Sequence, residues 1–404
     1  MKQKTAIILS LVLTVVILSS FWKAPAEASA IVASTDEVFS ARDLSGSYDD
    51  EITTITLTGS DAYTDSDQVT VAGSVITIQN AGTYIISGSL ENGCIIVDAD
   101  KEDKVQLVLD GVTIRSDHFA AIFVKQADKV FVTLADGSVN ILTNSGSFQQ
   151  IDDSTVDAVI FSLDDLTING NGTLQIASPA GHGIVGKDDV RITGGTYQIQ
   201  AKKHAVTAKD SLAVADGSFS IEAGQDGFHV ENNDDPSLGS IYIAGGNYTI
   251  QVSDDALHAN TLLQIDGGSF DITGSEGLEA TYIQINNGNI SVYASDDGIN
   301  AARKSSAYTP TVEINGGEIT IVMGAGDTDG VDSNGNLIIN GGTISVTGNS
   351  CFDYDGTAAY NGGTIIINGQ QVNSIPNQMM GMHGGMMGGM MGGMPGGHGG
   401  KGNW

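Results

Sequence analysis

One pattern recurs along the second half of this chain and leaves few folds open. Val190–Ile199 reads VRITGGTYQI, Leu212–Ile221 LAVADGSFSI, Ile241–Ile250 IYIAGGNYTI and Leu263–Ile272 LQIDGGSFDI. The same pattern continues as IQINNGNISV at Ile283–Val292, VEINGGEITI at Val312–Ile321 and LIINGGTISV at Leu337–Val346. The glycine that closes each corner falls at Gly195, Gly217, Gly246, Gly268, Gly288, Gly317, Gly342 and Gly363, 20 to 29 residues apart. Weaker copies reach back through Gly172, Gly137, Gly111 and Gly82. Apolar and polar residues alternate on both sides of each corner, which is the signature of a strand with one buried face. A further apolar pair, such as Leu278 and Ala280 or Ile299 and Ala301, ends each repeat. Each repeat is therefore expected to supply three short strands.

A unit this short cannot bury its inward side chains alone, whereas stacking it on its copies buries them all. The expected fold is all-β, a single-stranded right-handed parallel β-helix of about twelve coils. At one strand spacing per coil, that makes a rod ~55 Å long. The leucine-asparagine pattern of leucine-rich repeats is absent, calcium-binding nonapeptide rolls have a far shorter period, and propeller blades a longer one. Cys94 and Cys351 fall ten coil steps apart, so two free thiols are expected.

Four segments follow. Residues 1–30 read as a signal peptide: Lys2 and Lys4, an apolar run to Trp22, then Ala28-Ser29-Ala30. An uncleaved anchor is the alternative for this run. Residues 31–80 are expected to be a leader and cap over the open end of the stack, and 81–370 the β-helix itself. Residues 371–404, rich in Met, Gly and His, read as a flexible tail whose thioethers and imidazoles suit copper(I) if they bind anything.

The formal net charge is −31, from 48 acidic and 17 basic residues. That balance excludes a general nucleic-acid or anionic-membrane surface, which needs clustered Lys and Arg. It also disfavours direct binding of an acidic polymer unless a cation lies between. A recurrent acidic element supplies a place for one. It reads DGFHV at Asp226, DALHA at Asp255, EGLEA at Glu276, DGINA at Asp297 and DGVDS at Asp329. Stacking places Asp226, Asp255, Glu276, Asp297 and Asp329 in one column. Three residues on, it places His229, His258, Glu279, Asn300 and Asp332 in a second. Two carboxylates ~5 Å apart repel by ~0.8 kcal/mol in water and ~3 kcal/mol at an effective dielectric of 20. Such a column must protonate, splay into solvent or take up cations. Calcium suits all-oxygen donors in loops, so these acids, with Asp327 in GDTDGVDSNGN, are the expected calcium ligands. The competing account is ordinary Asp-Gly turn chemistry with solvated acids.

His182, His204, His229 and His258 invite zinc, but cysteine ligands and a close His-x-x-x-His pair are missing, so stacked or exposed histidines are expected instead. Lys125, Lys187 and Lys209 recur at one phase, which reads as a solvated turn or, more sharply, as a basic groove suited to carboxylated sugars; Lys187, Lys209, His229 and His258 are the carbohydrate-binding candidates. No catalytic residue is assigned; a serine elbow, P-loop and dinucleotide fingerprint are all absent. The two tryptophans, Trp22 and Trp404, lie outside the repeats, which leaves Tyr242, Tyr248, Tyr282 and Tyr293 either as sugar platforms or, equally, as inward or ladder-packed residues.

The run AGTYIISGSL, CIIVDADKEDKVQLVLDGVTI, AAIFVKQADKVFVTLADGS and DDLTINGNGTLQI, followed by the paired-glycine coils, resembles a family of secreted bacterial proteins. The resemblance covers about Gly82 to Asn368. It implies a calcium-binding parallel β-helix of pectate-lyase-like shape that binds cellulose and acidic pectin-type sugars. The family's coils favour an acidic residue where His182 and His204 stand here, while Lys187 and Lys209 keep the lysine that follows.

The expected function is therefore binding of plant cell-wall polysaccharide with calcium, by a monomer that is extracellular or attached to the cell surface and free of the membrane once its signal is removed. The alternatives are a calcium-dependent lyase using a base such as Lys209 and a structural adhesin that calcium rigidifies.

Overall fold

The computed structural model describes residues 33–48, 51–149, 155–325 and 328–377. The signal-peptide reading, most of the tail and Asp327 lie outside the described residues.

Tyr197, Phe219, Tyr248 and Phe270, each two residues after a corner glycine, show why the repeat folds as it does. They stack inside the array with ring centroids 4.7, 4.9 and 4.4 Å apart. At the corner before Tyr248, Gly246 adopts φ +108°, and a Cβ there would meet Tyr248 Oη at 2.9 Å and the Gly217 carbonyl at 3.0 Å. The glycine thus serves two needs, a left-handed corner and room for the ring folded over it. The offset-free alternation then buries every second residue: Ser218–Ala223 alternates exposed and buried along its whole length.

Strands pair with their counterparts one repeat away, almost always in parallel, and build three faces. The first face includes Asp189–Ile192, Ser211–Val214 and Ser240–Ile243. The second includes Thr196–Ala201, Ser218–Ala223, Asn247–Val252, Ser269–Gly274 and Asn289–Ala294. The third includes His182–Gly186, Val206–Ala208, Phe228–Val230, Ile299–Ala301, Asp329–Ser333 and Ser350–Tyr354. Two long strands, Asp255–Ile265 and Glu276–Ile285, turn from the third face into the first. The result is an unclosed, mostly parallel array, a β-helix-like solenoid around one continuous apolar core. Antiparallel hairpins occur toward its ends, Val69–Ala72 with Val75–Ile78 and Thr364–Ile367 with Gln370–Val372, where they shorten the exposed strand edges.

Two boundaries differ from the sequence reading. The parallel array begins at Ile52, because Ile52–Gly59 pairs with Gly82–Glu91 over eight residues. Within the 31–80 segment, residues 33–48 do not cap the stack but lie along the first face as a strap, and the hairpin of Val69–Ala72 with Val75–Ile78 lies toward the end. Ala33 exchanges bonds with the Gln264 carboxamide at 3.0 and 2.9 Å. Arg191 Nε donates to Val38 O at 3.3 Å, and Gln106 Nε2 donates to Ser47 O at 3.3 Å. Asp43 anchors the strap, with Lys129 at 2.8 Å and Thr167 Oγ1 at 2.6 Å. Burial pushes the Asp43 carboxyl up, but the bonds from Lys129, Ser40 and Thr167 outweigh it and hold the group near 2. Polar outward residues of the first face attract a polar strap as well as water does, and a side strap spans many repeats where a cap would meet one. Neither Cys94 nor Cys351 is in a disulfide, and both are buried.

Candidate functional site

The third face carries one outward residue per repeat in unbroken register. The ladder runs Ile96, Phe123, Phe161, Val185, Thr207, His229, His258, Glu279, Asn300, Asp332, Asp353. Its chemistry changes along the axis from apolar to imidazole to carboxylate. The apolar part is buried beneath Phe119 and Val156. In the rest, Glu279 and Asn300 are buried and the other side chains are half-buried. Beside it, Asp255 lies in register with Glu276 in a second column. The backbone N–H of Asp255 donates to Asp226 Oδ1 at 3.0 Å, and that of Asp329 donates to Asp297 Oδ1 at 3.1 Å, which ties two pairs of adjacent rungs of that column together.

In the imidazole part, His182, His204, His229 and His258 form one stack with centroids 5.1, 4.2 and 4.8 Å apart. Carboxylates flank the rings. Asp226 Oδ2 lies 3.1 Å from His204 Nδ1 and 2.6 Å from His229 Nδ1. Asp226 is almost fully buried, which alone would raise its pKa, yet the two imidazoles hold it well below the carboxylate range. His258 Nδ1 sits 2.8 Å from Asp255 and 2.7 Å from Glu279. Burial disfavours its charge, but these two carboxylates reverse the balance and its pKa rises. Glu279, also bonded by Lys304 Nζ at 2.6 Å, is correspondingly held down against its own burial.

The carboxylate part has no such compensation. Burial, then the charges of Glu279 and Asp255, push Glu276 up to about 9. Burial, then Asp296 and Asp329, push Asp297 to about 6. Burial, then Asp297, Asp329 and Asp353, push Asp332 to about 7. Asn300 Nδ2 donates to Glu276 at 3.1 Å, while Asn300 Oδ1 is buried with no donor. Asp353 Oδ1 and Ser350 Oγ are buried and unpartnered in the next rung.

The structure therefore brings Asp226, Asp255, Glu276, Glu279, Asp297, Asn300, Asp329 and Asp332 to one face, but divides them. Asp226, Asp255 and Glu279 are engaged by imidazoles, Glu279 by Lys304 as well, and Glu276, Asp297 and Asp332 raise one another's pKa values or those of their neighbours. Lys304 and Asp353 belong to the site and were missed. Asp353 repeats the Val331-Asp332 pattern as Phe352-Asp353 and was legible; Lys304 comes from a long connection without periodicity.

A groove of about 390 Å³ runs past the histidines, lined by Asp157, His182, Lys187, His204, Lys209 and His229 among others. Lys187 Nζ lies 5.4 Å above the Phe161 ring. Lys209 pairs with exposed Asp234 at 2.7 Å. A larger cleft of about 700 Å³ lies on the second face around Ser178, Gln200 and Gln251. Its lining carries one lysine and one glutamate, Lys202 and Glu222, so the chemistry concentrates on the third face. Of the tyrosines, Tyr248 points into the core, Tyr242 lies under the strap against Phe39, and Tyr282 is buried against Tyr308. Tyr293 alone of these four is exposed, so of the two readings the inward one holds for the other three.

The family model described as carbohydrate-binding domain-containing protein matches residues 72–327 and 275–374. A protein of that description from Acetivibrio thermocellus is 39% identical over 137 residues, 33% of this chain and 48% of the relative. The match thus spans about half the length of that relative. Among solved structures, a polysaccharide lyase-like protein from C. thermocellum, in a gadolinium derivative, is 34% identical with a TM-score of 0.54. That match covers 55% of this chain and 91% of the other, and it has the β-helix-like architecture in common with the array described above. With most of the array inside the family match, the chain belongs to the carbohydrate-binding domain-containing protein family.

Proposed function

We propose that this protein binds polysaccharide along its third face, with calcium held in the carboxylate part and acidic sugar units reaching from that ion into the lysine-lined groove. The observation that carries the reading is a set of buried acceptors without donors. Asn300 Oδ1 and Asp353 Oδ1 lie on the same face as Glu276, Asp297 and Asp332, whose pKa values are raised first by burial and then by neighbouring carboxylates. Oxygen donors of this number and kind fit a hard cation. Glu276, Glu279, Asp297, Asn300, Asp329 and Asp332 would hold it, and the bound ion would supply positive charge to a sugar carboxylate.

Pectin-type uronates are the proposed ligands, with cellulose as a neutral one. Lys187 and Lys209 would face the carboxylates, and His229 and His258 the hydroxyls. Binding is favoured over lyase chemistry. The Asp234 bond raises the pKa of Lys209, whereas a general base at neutral pH needs it lowered. An apolar start flanked by Ala-x-Ala supports an extracellular or cell-surface location.

Calorimetric titration tests the ion site. Asp297→Asn with Asp332→Asn is expected to weaken calcium binding roughly tenfold or more, because each removes a charged donor. Unchanged affinity and stoichiometry would remove both residues from the site.

A further inference from the structure

We propose that His204, Asp226 and His229 form a zinc-type transition-metal site, distinct from the oxygen-only part of the face. Three donor atoms converge there: His204 Nδ1, Asp226 Oδ2 and His229 Nδ1, all within 4.8 Å of one another. They come from two adjacent rungs of one sheet, since Thr207 pairs with His229 and Val206 with Phe228. Rigid strands hold them in place without a flexible loop.

The supporting bonds are those of a metal centre. Asp226 Oδ1 accepts the Asp255 N–H at 3.0 Å, which turns Oδ2 toward the imidazoles. Glu231 lies 3.6 Å from His229 Nε2, so the ring's second nitrogen faces a carboxylate while Nδ1 faces the site. A carboxylate behind a ligating histidine fixes its tautomer and raises its basicity. Zinc bonds of ~2.0–2.1 Å in tetrahedral geometry put donor atoms ~3.3 Å apart. The carboxylate oxygen is now 2.6 Å from His229 Nδ1 and 3.1 Å from His204 Nδ1, so the first contact opens by ~0.7 Å and the second by ~0.2 Å. His204 Nδ1 presently accepts the Asp226 N–H at 3.1 Å and exchanges that bond for the ion. Both rings line the groove, which gives the ion an entry path and leaves a coordination position open.

The donor set selects the metal. Two imidazoles and one carboxylate suit zinc, copper(II) or nickel, whereas calcium takes oxygen. The ion would clip two rungs together.

The test is calorimetry with zinc chloride on the metal-stripped full chain in excess calcium. The tail holds His383 and His398, so a His383→Gln/His398→Gln variant is the reference. That variant is expected to bind one saturable equivalent, and adding His204→Gln and His229→Gln is expected to abolish it. An equivalent that survives those changes, or that calcium displaces, overturns the proposal. Cobalt(II) on the reference variant gives a second readout that does not depend on how the substituted chain folds. A visible absorption band that zinc removes is expected, and a spectrum matching free cobalt overturns the assignment.

Discussion

Stripped of calcium, the protein melts at progressively lower temperature as pH rises from about 5 to about 9, and calcium abolishes most of that fall. The sign follows from the direction of the shifts. Asp297, Asp332 and Glu276 have folded-state values near 6, 7 and 9, above their unfolded values. A group raised in this way contributes stability that is fully present below its unfolded pKa and is lost as pH rises through the folded one. The imidazolium of His258, stabilised by Asp255 and Glu279, is lost in the same direction. Glu279 and Asp43 are lowered instead, so their contributions are present above the unfolded pKa and vanish as pH falls. The apo protein should therefore be most stable in mildly acidic solution. After discounting for partial exposure, each raised group accounts for about 1–2 kcal/mol. The summed loss corresponds to a melting-temperature drop of ~5 °C or more. Bound calcium supplies the charge that protons supply at low pH. Scanning calorimetry at several pH values, with chelator and with calcium, reads this directly. A pH-independent apo melting temperature would mean the acids are solvated and uncoupled.

Phe219→Ala is expected to lower stability by about 3–5 kcal/mol. Phe219 is 4% exposed, stacks between Tyr197 and Tyr248, and meets the Phe228 ring edge-on. Corner glycines on either side cannot fill the space, because Gly217 and Gly246 have no side chain to move in. In a stacked array each repeat is stabilised by its neighbours, so a hole in the middle of the aromatic column weakens the interfaces on both sides. Phe228 directly precedes His229, so the same change should loosen the imidazole stack. Chemical denaturation measures the loss, with Ser220→Ala on the exposed side of the same strand expected to stay within ~0.5 kcal/mol. Equal effects of the two changes would contradict the inward column.

Much of this was legible because the repeat fixes register. Once Gly246-x-Tyr248 and Gly268-x-Phe270 are recognised as equivalent, His258, Glu279 and Asn300 must fall in line, and the structure places them so. What the repeat cannot carry is contact between non-equivalent positions. The strap was misplaced because Asp43 and Thr167 are 124 residues apart and share no pattern. The array's start at Ile52 was missed because its first corner, near Gly59, lacks the paired glycine and ring. The histidines of the His204–Asp226–His229 cluster invite zinc in the sequence, but the convergence with Asp226 was not legible, for a related reason. Its two histidines occupy different phases of the repeat, one in each column, and meet only when adjacent rungs stack. Lys304 reaches Glu279 from an irregular connection that no periodicity predicts.

Co-sedimentation of the protein with polygalacturonate and with cellulose, in calcium and then in chelator, tests the central claim most directly. Binding to polygalacturonate that chelator abolishes is the expected result, with Lys187→Ala weakening it further in calcium. Failure to bind either polymer in calcium, in a protein that calcium nonetheless stabilises, would contradict the account and leave the carboxylate column as a stiffener of the rod.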